Sequence, residues 1–393
     1  MNPSPIDTKN ESHPSVREIM MEFARETGLL PDRKSPRRYL WTDAFGVCNF
    51  LGLYHQTGEE TYLDLALRLV DQVHHTLGRH REDDSRTGWI SGLDEEQGRK
   101  HPTQGGLRIG KGLNERKSRD PLDDRLEWDR DGQYYHYLTK WMHALNRVSR
   151  VTRDLTYNRW AVELAKTAHA RFVYATSSGG LKRMYWKMSI DLSRPLVWSM
   201  GHHDPLDGFV TYSELEAIAA RDSKESTGRD LRAEIADMTK ICEGKDWATD
   251  DPLGIGGLLF DAFRVAQLMV SGNLKQNGLL ETLLDSSLRG LDSFVKESSL
   301  RLPADYRLAF RELGLSIGLR AVERIRERIG QKSMKDPLRS LLQALNRYAG
   351  LIETIEAFWL ERKNRESETW EAHRDINRVM LATSLAPDGF LNV

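Results

Sequence analysis

From residue 39 onward the apolar positions recur at helical rather than strand spacing, broken at intervals by turn residues. Between 41 and 54, Phe45, Cys48, Phe50, Leu51 and Leu53 make a wide apolar stripe, and Gly46 and Gly52 leave room for a neighbouring helix. Thr57-Gly58-Glu59 stops this helix and starts another running to 77, with Tyr62, Leu65, Ala66, Leu69, Val70 and Val73 at helical spacing. So short a connection forces the two helices antiparallel.

The hairpin returns further on. Thr57, Thr61, Tyr62, Ala66 and Leu69 align without a gap on Thr152, Thr156, Tyr157, Ala161 and Leu164. One hairpin cannot bury its own apolar face, so a repeat predicts an α-solenoid or a closed α/α toroid. Further hairpins are expected at 209–221 with 229–243, 253–271 with 276–297, 304–319 with 320–346 and 348–363 with 370–384, with Pro205, Pro252, Pro303 and Pro337 near helix starts. From Trp41 this makes six hairpins, the number that closes an (α/α)6 barrel. The expected fold class is therefore all-α, an (α/α)6 barrel. Residues 39–393 form its single domain, preceded by 1–38 as an N-terminal leader, disordered over 1–13, with a short helix at 14–27.

Two stretches lose the helical period. Residues 79–131 are rich in Gly, Asp, Arg and Lys, and a connection this long inside a compact domain is usually functional or disordered. Trp89, Ile90, Leu107, Ile109 and Leu113 can anchor it, which predicts an ordered loop folded over one end of the helices. Residues 177–207 partly alternate through Met184, Trp186, Met188, Ile190 and Leu192, which predicts a small β-hairpin before a polar loop.

Composition narrows the class. Hydrophobic residues are 39% and charged residues 29% of 393, with a net charge of -1, so a large core is available and the basic footprint of a nucleic-acid binder is missing. No apolar run approaches the roughly 18 residues of a membrane span, and residues 1–14 lack a secretory pattern. Cys48 and Cys242 stand apart in helical surroundings and read as reduced thiols, so a cytoplasmic location without nucleic-acid or membrane partners is expected. Gly254-Ile255-Gly256-Gly257 follows no strand and is no dinucleotide loop, Asp83-Asp84 and Asp123-Asp124 lack the helical placement of a diphosphate-binding motif, and no GxSxG elbow occurs. No cofactor is expected.

Chemistry concentrates in residues 127–137, where Glu127, Asp129, Asp131, Gln133 and His136 are interleaved with Trp128, Tyr134, Tyr135 and Tyr137. Carboxylates grip sugar hydroxyls and move protons, while flat rings lie against the apolar faces of pyranoses. The same residues also suit a loop entering an amphipathic helix, with Asp131 as the cap of a helix at 132–150. A second cluster is His202-His203-Asp204-Pro205-Leu206-Asp207. An imidazole beside carboxylates titrates near neutrality, although Asp207 can simply cap a helix at 209. Adjacent side chains rarely converge on one ion and no HExxH spacing occurs, so no metal is expected. Asp43 is either a first-turn dipole partner or a pocket acid. Arg311 shares a helix side with Arg307, where an ion pair competes with anion binding, and His373, Arg374 and Asp375 are open to the same two readings. Residues 388–390 either cover a barrel end or fray.

The run Tyr54-His55-Gln56-Thr57-Gly58-Glu59-Glu60-Thr61-Tyr62-Leu63-Asp64-Leu65-Ala66 resembles the hairpins of the six-hairpin glycosidase superfamily, over residues 39–385. The resemblance implies an architecture whose active site gathers long loops and inner-helix ends at an open mouth. It does not select an activity, because the superfamily holds hydrolases, phosphorylases, lyases and sugar epimerases. The reading it favours is a glycoside hydrolase in which Asp129 or Asp131 faces Asp204 or Asp207 across a funnel, about 6.5–9.5 Å apart if the reaction inverts. Trp41, Trp128, Tyr134 and Trp198 would stack on sugar, with Asp43, Glu127, Gln133, His136, His202 and Arg311 as further substrate contacts. The alternatives are a sugar isomerase or 2-epimerase moving protons with His136 or His203, and a non-catalytic helical binding protein. The oligomeric state is left open.

Overall fold

The computed structural model describes residues 13–392, apart from 32, 34, 177–179, 181, 220–229, 275–277, 298 and 331–335. The expected disordered leader, but for its last residue, lies outside the described residues, as do parts of the expected β-hairpin and of the third helical turn. Thirteen longer helices carry the fold: α1 Val16–Glu26, α2 Leu40–Thr57, α3 Glu60–Leu77, α4 Tyr135–Thr152, α5 Leu155–Phe172, α6 Asp204–Ala219, α7 Arg232–Cys242, α8 Pro252–Val270, α9 Leu279–Glu297, α10 Ala309–Ile329, α11 Asp336–Asn346, α12 Gly350–Leu360 and α13 Arg374–Leu385.

Six of them, α2, α4, α6, α8, α10 and α13, pack each on the next, and α13 packs back on α2. The ring is closed. The inner helices α2, α6 and α8 are covered on nearly every side and their sequences are mostly apolar all round; α2 is buried continuously from Leu40 to Leu53. The remaining helices stand outside as amphipathic buttresses. α8 is long and apolar enough to cross a bilayer, contrary to the sequence expectation, but 67% of its apolar window is buried inside the toroid wall.

The repeated threonines have a shared physical cause. Thr57 Oγ1 donates to the Leu53 carbonyl at 2.8 Å and accepts from the Glu59 amide at 3.2 Å. Thr152 does the same with Val148 and Asp154, at 2.8 and 3.2 Å. Each threonine thus ends an inner helix and holds the turn into its outer partner, and the residues between, Gly58 and Arg153, are both left-handed, with φ of 71° and 60°.

The last two hairpins differ from expectation. α10 runs unbroken through the turn expected at 319/320, because Gly318 there serves a close helix crossing. A Cβ on Gly318 would stand 2.6 Å from the Gly256 Cα of α8. Of the run Gly254–Gly257, Gly256 is the residue in this contact. The outer partner of α13 is α1 rather than α12, which packs on α10. Ile19, Met20, Phe23 and Ala24 of α1 are buried, and Arg378 holds Glu26 at 2.5 Å and Glu22 at 2.8 Å. A domain boundary at 38/39 would therefore cut a wall element from the barrel.

The loop over 79–131 is ordered by buried Trp89, Ile90, Leu107 and Ile109, although Leu113 is exposed. Short antiparallel strands join it to the second loop: β1 Gln133–Tyr134 pairs with β4 Lys187–Met188, which pairs with β5 Pro195–Val197, while β2 Val173–Ala175 pairs with β3 Lys182–Met184. At the far end of the ring a short helix, Asp388–Leu391, enters the bore. The Phe390 ring stacks between Phe45 and Phe260, 4.4 Å from each. Gly389 passes so near α2 that a Cβ would meet the Cys48 carbonyl at 2.2 Å. Gly389→Ala is expected to destabilise the fold by about 1–3 kcal/mol through overpacking, read as a lower urea midpoint at unchanged m-value.

Candidate functional site

The opposite end of the ring opens into a cavity of about 940 Å³. The N-terminal ends of all six inner helices reach it, carrying Asp43, His136, Asp204, Asp251, Arg311 and Asp375. Parallel helices bring six positive dipole ends together here, and the first-turn aspartates of α2, α6 and α13 offset them. The walls are aromatic, with Trp41, Trp128, Tyr134, Tyr137 and Trp186 around the upper part and Phe260 and Phe390 below.

α6 begins at Asp204, five residues earlier than the spacing suggested, so Asp207 sits in its first turn and caps nothing. Asp207 accepts from Thr139 Oγ1 at 2.5 Å, Lys140 Nζ at 2.7 Å and Arg264 Nη1 at 3.1 Å. Burial opposes its charge, but Lys140 and Arg264 outweigh burial and hold the carboxyl below the usual range. Asp204, one turn earlier, has no such partner. Burial, then the nearby charge of Asp207, pushes it up to about 7. Its Oδ2 is buried without a hydrogen bond in the described residues, and its nearest base is His136 Nδ1 at 3.8 Å from Oδ1.

Two carboxyls of the same region thus differ in kind, one locked as an anion and one held near neutrality as an acid. Behind them Arg264, fully buried, also binds Glu214 and Asp261. Asp261 is pushed up to about 7 by burial and by Asp207.

His136 is pushed down to about 3, by burial first and then by Lys140. It is neutral at ordinary pH, its ring parallel to Trp186 within 14° at 6.3 Å. His203 is pushed down to about 4, chiefly by burial, and its Nε2–H donates to the Trp247 carbonyl at 2.9 Å. His202 lies against the His203 ring, tilted by 47° at 4.6 Å, and lines the cavity. Asp43 lines it too, pairing with Arg38 at 3.3 Å and accepting the Tyr39 amide at 2.8 Å; burial pushes it up to about 6. Arg311 is engaged by Asp251 at 2.8 Å.

Four expected site residues are not in the cavity. Asp131 is fully buried below the first long loop, where Arg108 at 2.9 Å, Arg81 at 3.3 Å and the Gly110 amide at 2.9 Å consume it. It does not cap α4 either, which starts at Tyr135. Glu127 is locked between Lys187 at 2.9 Å and Arg116 at 3.1 Å. Gln133 ties the Leu107 amide to the Gly105 and Ile190 carbonyls, fastening one loop to the other. Trp198 is 67% exposed outside the cavity, edge-on to Tyr185. Asp129 and Trp128, by contrast, stand exposed at the mouth.

Sequence reasoning missed Lys140, Trp186, Phe260, Asp261, Arg264 and Phe390. Asp261 and Arg264 did leave a signal, as charges three apart in an otherwise apolar helix, where burial requires a partner.

A ring of six inner helices, buttressed outside and open at their N-terminal ends, can be compared directly with solved structures. The alpha-1,6-mannanase GH76A of Salegentibacter sp. HEL1_6 superposes with a TM-score of 0.51 at 13% identity, over 95% of this chain and 98% of that one. The chain has the six-hairpin toroid fold. A sugar epimerase from a ruminal bacterium gives 0.49 at 12% identity, covering 93% and 98% of the two chains. Cellobiose 2-epimerase of Spirochaeta thermophila DSM 6192 gives 0.48 at 14%, covering 99% and 100%. No protein-family model and no curated sequence matches the chain.

Proposed function

We propose that this toroid is a carbohydrate-active enzyme, a glycoside hydrolase in which Asp204 is the general acid and Asp129 the carboxylate that activates water. The observation that carries the reading is Asp204: a buried carboxyl raised to about 7, with an unpartnered oxygen, in an aromatic-walled cavity. Such a group is protonated where an ordinary aspartate is not, which is what donation to a leaving glycosidic oxygen requires. Of the four acids first paired by sequence, Asp131 and Asp207 are consumed by basic partners, which leaves Asp129 and Asp204. The rings of Trp41, Trp128, Tyr134 and Trp186 supply stacking surfaces for a pyranose. An open cavity and an unpaired acid also argue against the non-catalytic binding protein. Free Cys48 and Cys242 fit a cytoplasmic setting.

The test is a screen of glycosides and oligosaccharides with single-site variants. Asp129→Asn is expected to lower kcat by about 10²-fold or more with its circular dichroism unchanged; full activity in this variant removes Asp129 from the mechanism.

A 2-epimerase reading rests on His136, a neutral imidazole in the cavity wall 3.8 Å from Asp204 and stacked on Trp186. A neutral imidazole can remove a proton from a carbon next to a carbonyl. Deuterium incorporated from D2O into an unhydrolysed reducing sugar would favour this chemistry; release of new reducing ends without label would favour hydrolysis.

A further inference from the structure

The floor of the cavity is Phe390, and the segment that carries this ring is fastened to four of the six inner helices. Phe390 stacks on Phe45 of α2 and Phe260 of α8. The Phe390 carbonyl accepts from His143 Nε2 at 2.9 Å, and the Gly389 carbonyl from Arg147 Nε at 3.1 Å, both on α4. Asp388 pairs with Arg324 of α10 at 2.9 Å. Phe390 and Leu391 are 2% and 0% exposed. A polymer therefore cannot thread the bore: a sugar in contact with the floor has no room for a neighbour beyond it.

Charge adds a second restriction. Nearly every lysine or arginine facing the cavity, among the described residues, already meets a carboxylate. Arg37 pairs with Asp375 at 2.8 Å, Arg38 with Asp43, Lys140 with Asp207, Arg311 with Asp251, and Arg374 with Glu371. Lys111 instead faces the Tyr39 ring at 5.4 Å. On the acidic side Asp129 and Asp204 have no lysine or arginine partner among the described residues. An incoming carboxylate, phosphate or sulfate would lose its hydration and find one ammonium at the rim, with unpaired acids around it.

We infer that the site takes the terminal, uncharged sugar unit of a chain, or a free neutral sugar, and acts at that end rather than within the chain. This rests on the carbohydrate reading above. It assigns the reacting unit to the deep part of the cavity near Asp204, with Phe390 as a positioning residue that sets how far the unit descends.

The experiment takes the neutral linear oligosaccharide that wild-type protein turns over fastest in the screen. It compares three probes: that oligosaccharide, the same chain chemically blocked at both ends, and an oligosaccharide of uronic acids. Products are followed by mass spectrometry from the first per cent of conversion, with Asp204→Asn as the blank. The expected result is change confined to one terminal unit from the outset, with the blocked chain and the uronic acid chain each slower by about 100-fold or more. Internal fragments appearing first, a blocked chain processed as fast as the open one, or a preference for the uronic acid chain would each overturn the inference while leaving a carbohydrate enzyme. If wild type exceeds the Asp204→Asn blank on no probe, the carbohydrate reading falls and takes this inference with it.

Discussion

Asp204→Asn is expected to lower kcat/KM by about 10²- to 10⁴-fold and at the same time to stabilise the protein at alkaline pH. The two effects share one cause. Folding moves this carboxyl from the ordinary aspartate value of 3.8 up to about 7, so between those values the folded chain binds more protons than the unfolded one. Its contribution to stability is therefore fully present below pH 4 and is lost as the pH rises through 7. Activity follows the same titration, since a general acid works only while protonated: the wild-type rate should fall above pH 7. The asparagine cannot ionise, so this variant should keep little activity at any pH and lose part of the decline in melting temperature between pH 4 and 7. Asp261 is raised to about 7 as well, so some of that decline should survive in Asp204→Asn and disappear only when Asp261→Asn is added. A variant that retains wild-type turnover and the alkaline activity limb would remove Asp204 from the chemistry.

Arg264→Met is expected to cost the fold about 3–5 kcal/mol, the range for removing one partner of a buried ion pair. Arg264 is 0% exposed and faces three carboxyls, with Nη1 3.1 Å from both Asp207 and Asp261 and Nε 2.9 Å from Glu214. Without it Glu214 keeps, among the described residues, His143 as its basic neighbour at 3.9 Å, and a buried charge so weakly partnered is what makes the loss large. The same substitution should raise the affinity of Asp207 for protons, because Lys140 and the Thr139 hydroxyl would then oppose burial without the guanidinium. Chemical denaturation at pH 7 measures the first effect, and the pH dependence of the midpoint measures the second. A loss below about 1 kcal/mol would mean that water reaches this network and screens it.

Much of the architecture was legible because it depends on local rules. Helical spacing identified inner and outer helices, and the Thr57 and Thr152 repeat marked hairpins whose turns are built by the same two hydrogen bonds. The misreadings are of a different sort. No turn interrupts α10 at 319/320; Gly314 and Gly318 just before it mark where α10 crosses α8 too closely for side chains. The distant α1 was set aside as a leader, although it buttresses α13. Spacing along the chain carries no information about which outer helix fills the last gap in a ring.

For the site, the sequence by itself determined the ingredients: two long loops ending in acids and aromatics, each running into an inner helix. It also brought the chemistry to one end of the barrel, because every inner helix starts at that end. What only the tertiary structure decided is which acids remain available. Asp131 and Asp129 are two residues apart and alike in type, but Asp131 is buried against Arg81 and Arg108 while Asp129 stands at the mouth. Asp204 and Asp207 share a helical turn, and only Asp207 falls within reach of Lys140 and Arg264. The character of a carboxyl depends on burial and on charges within a few ångströms, and in this toroid those charges come from helices distant in the chain.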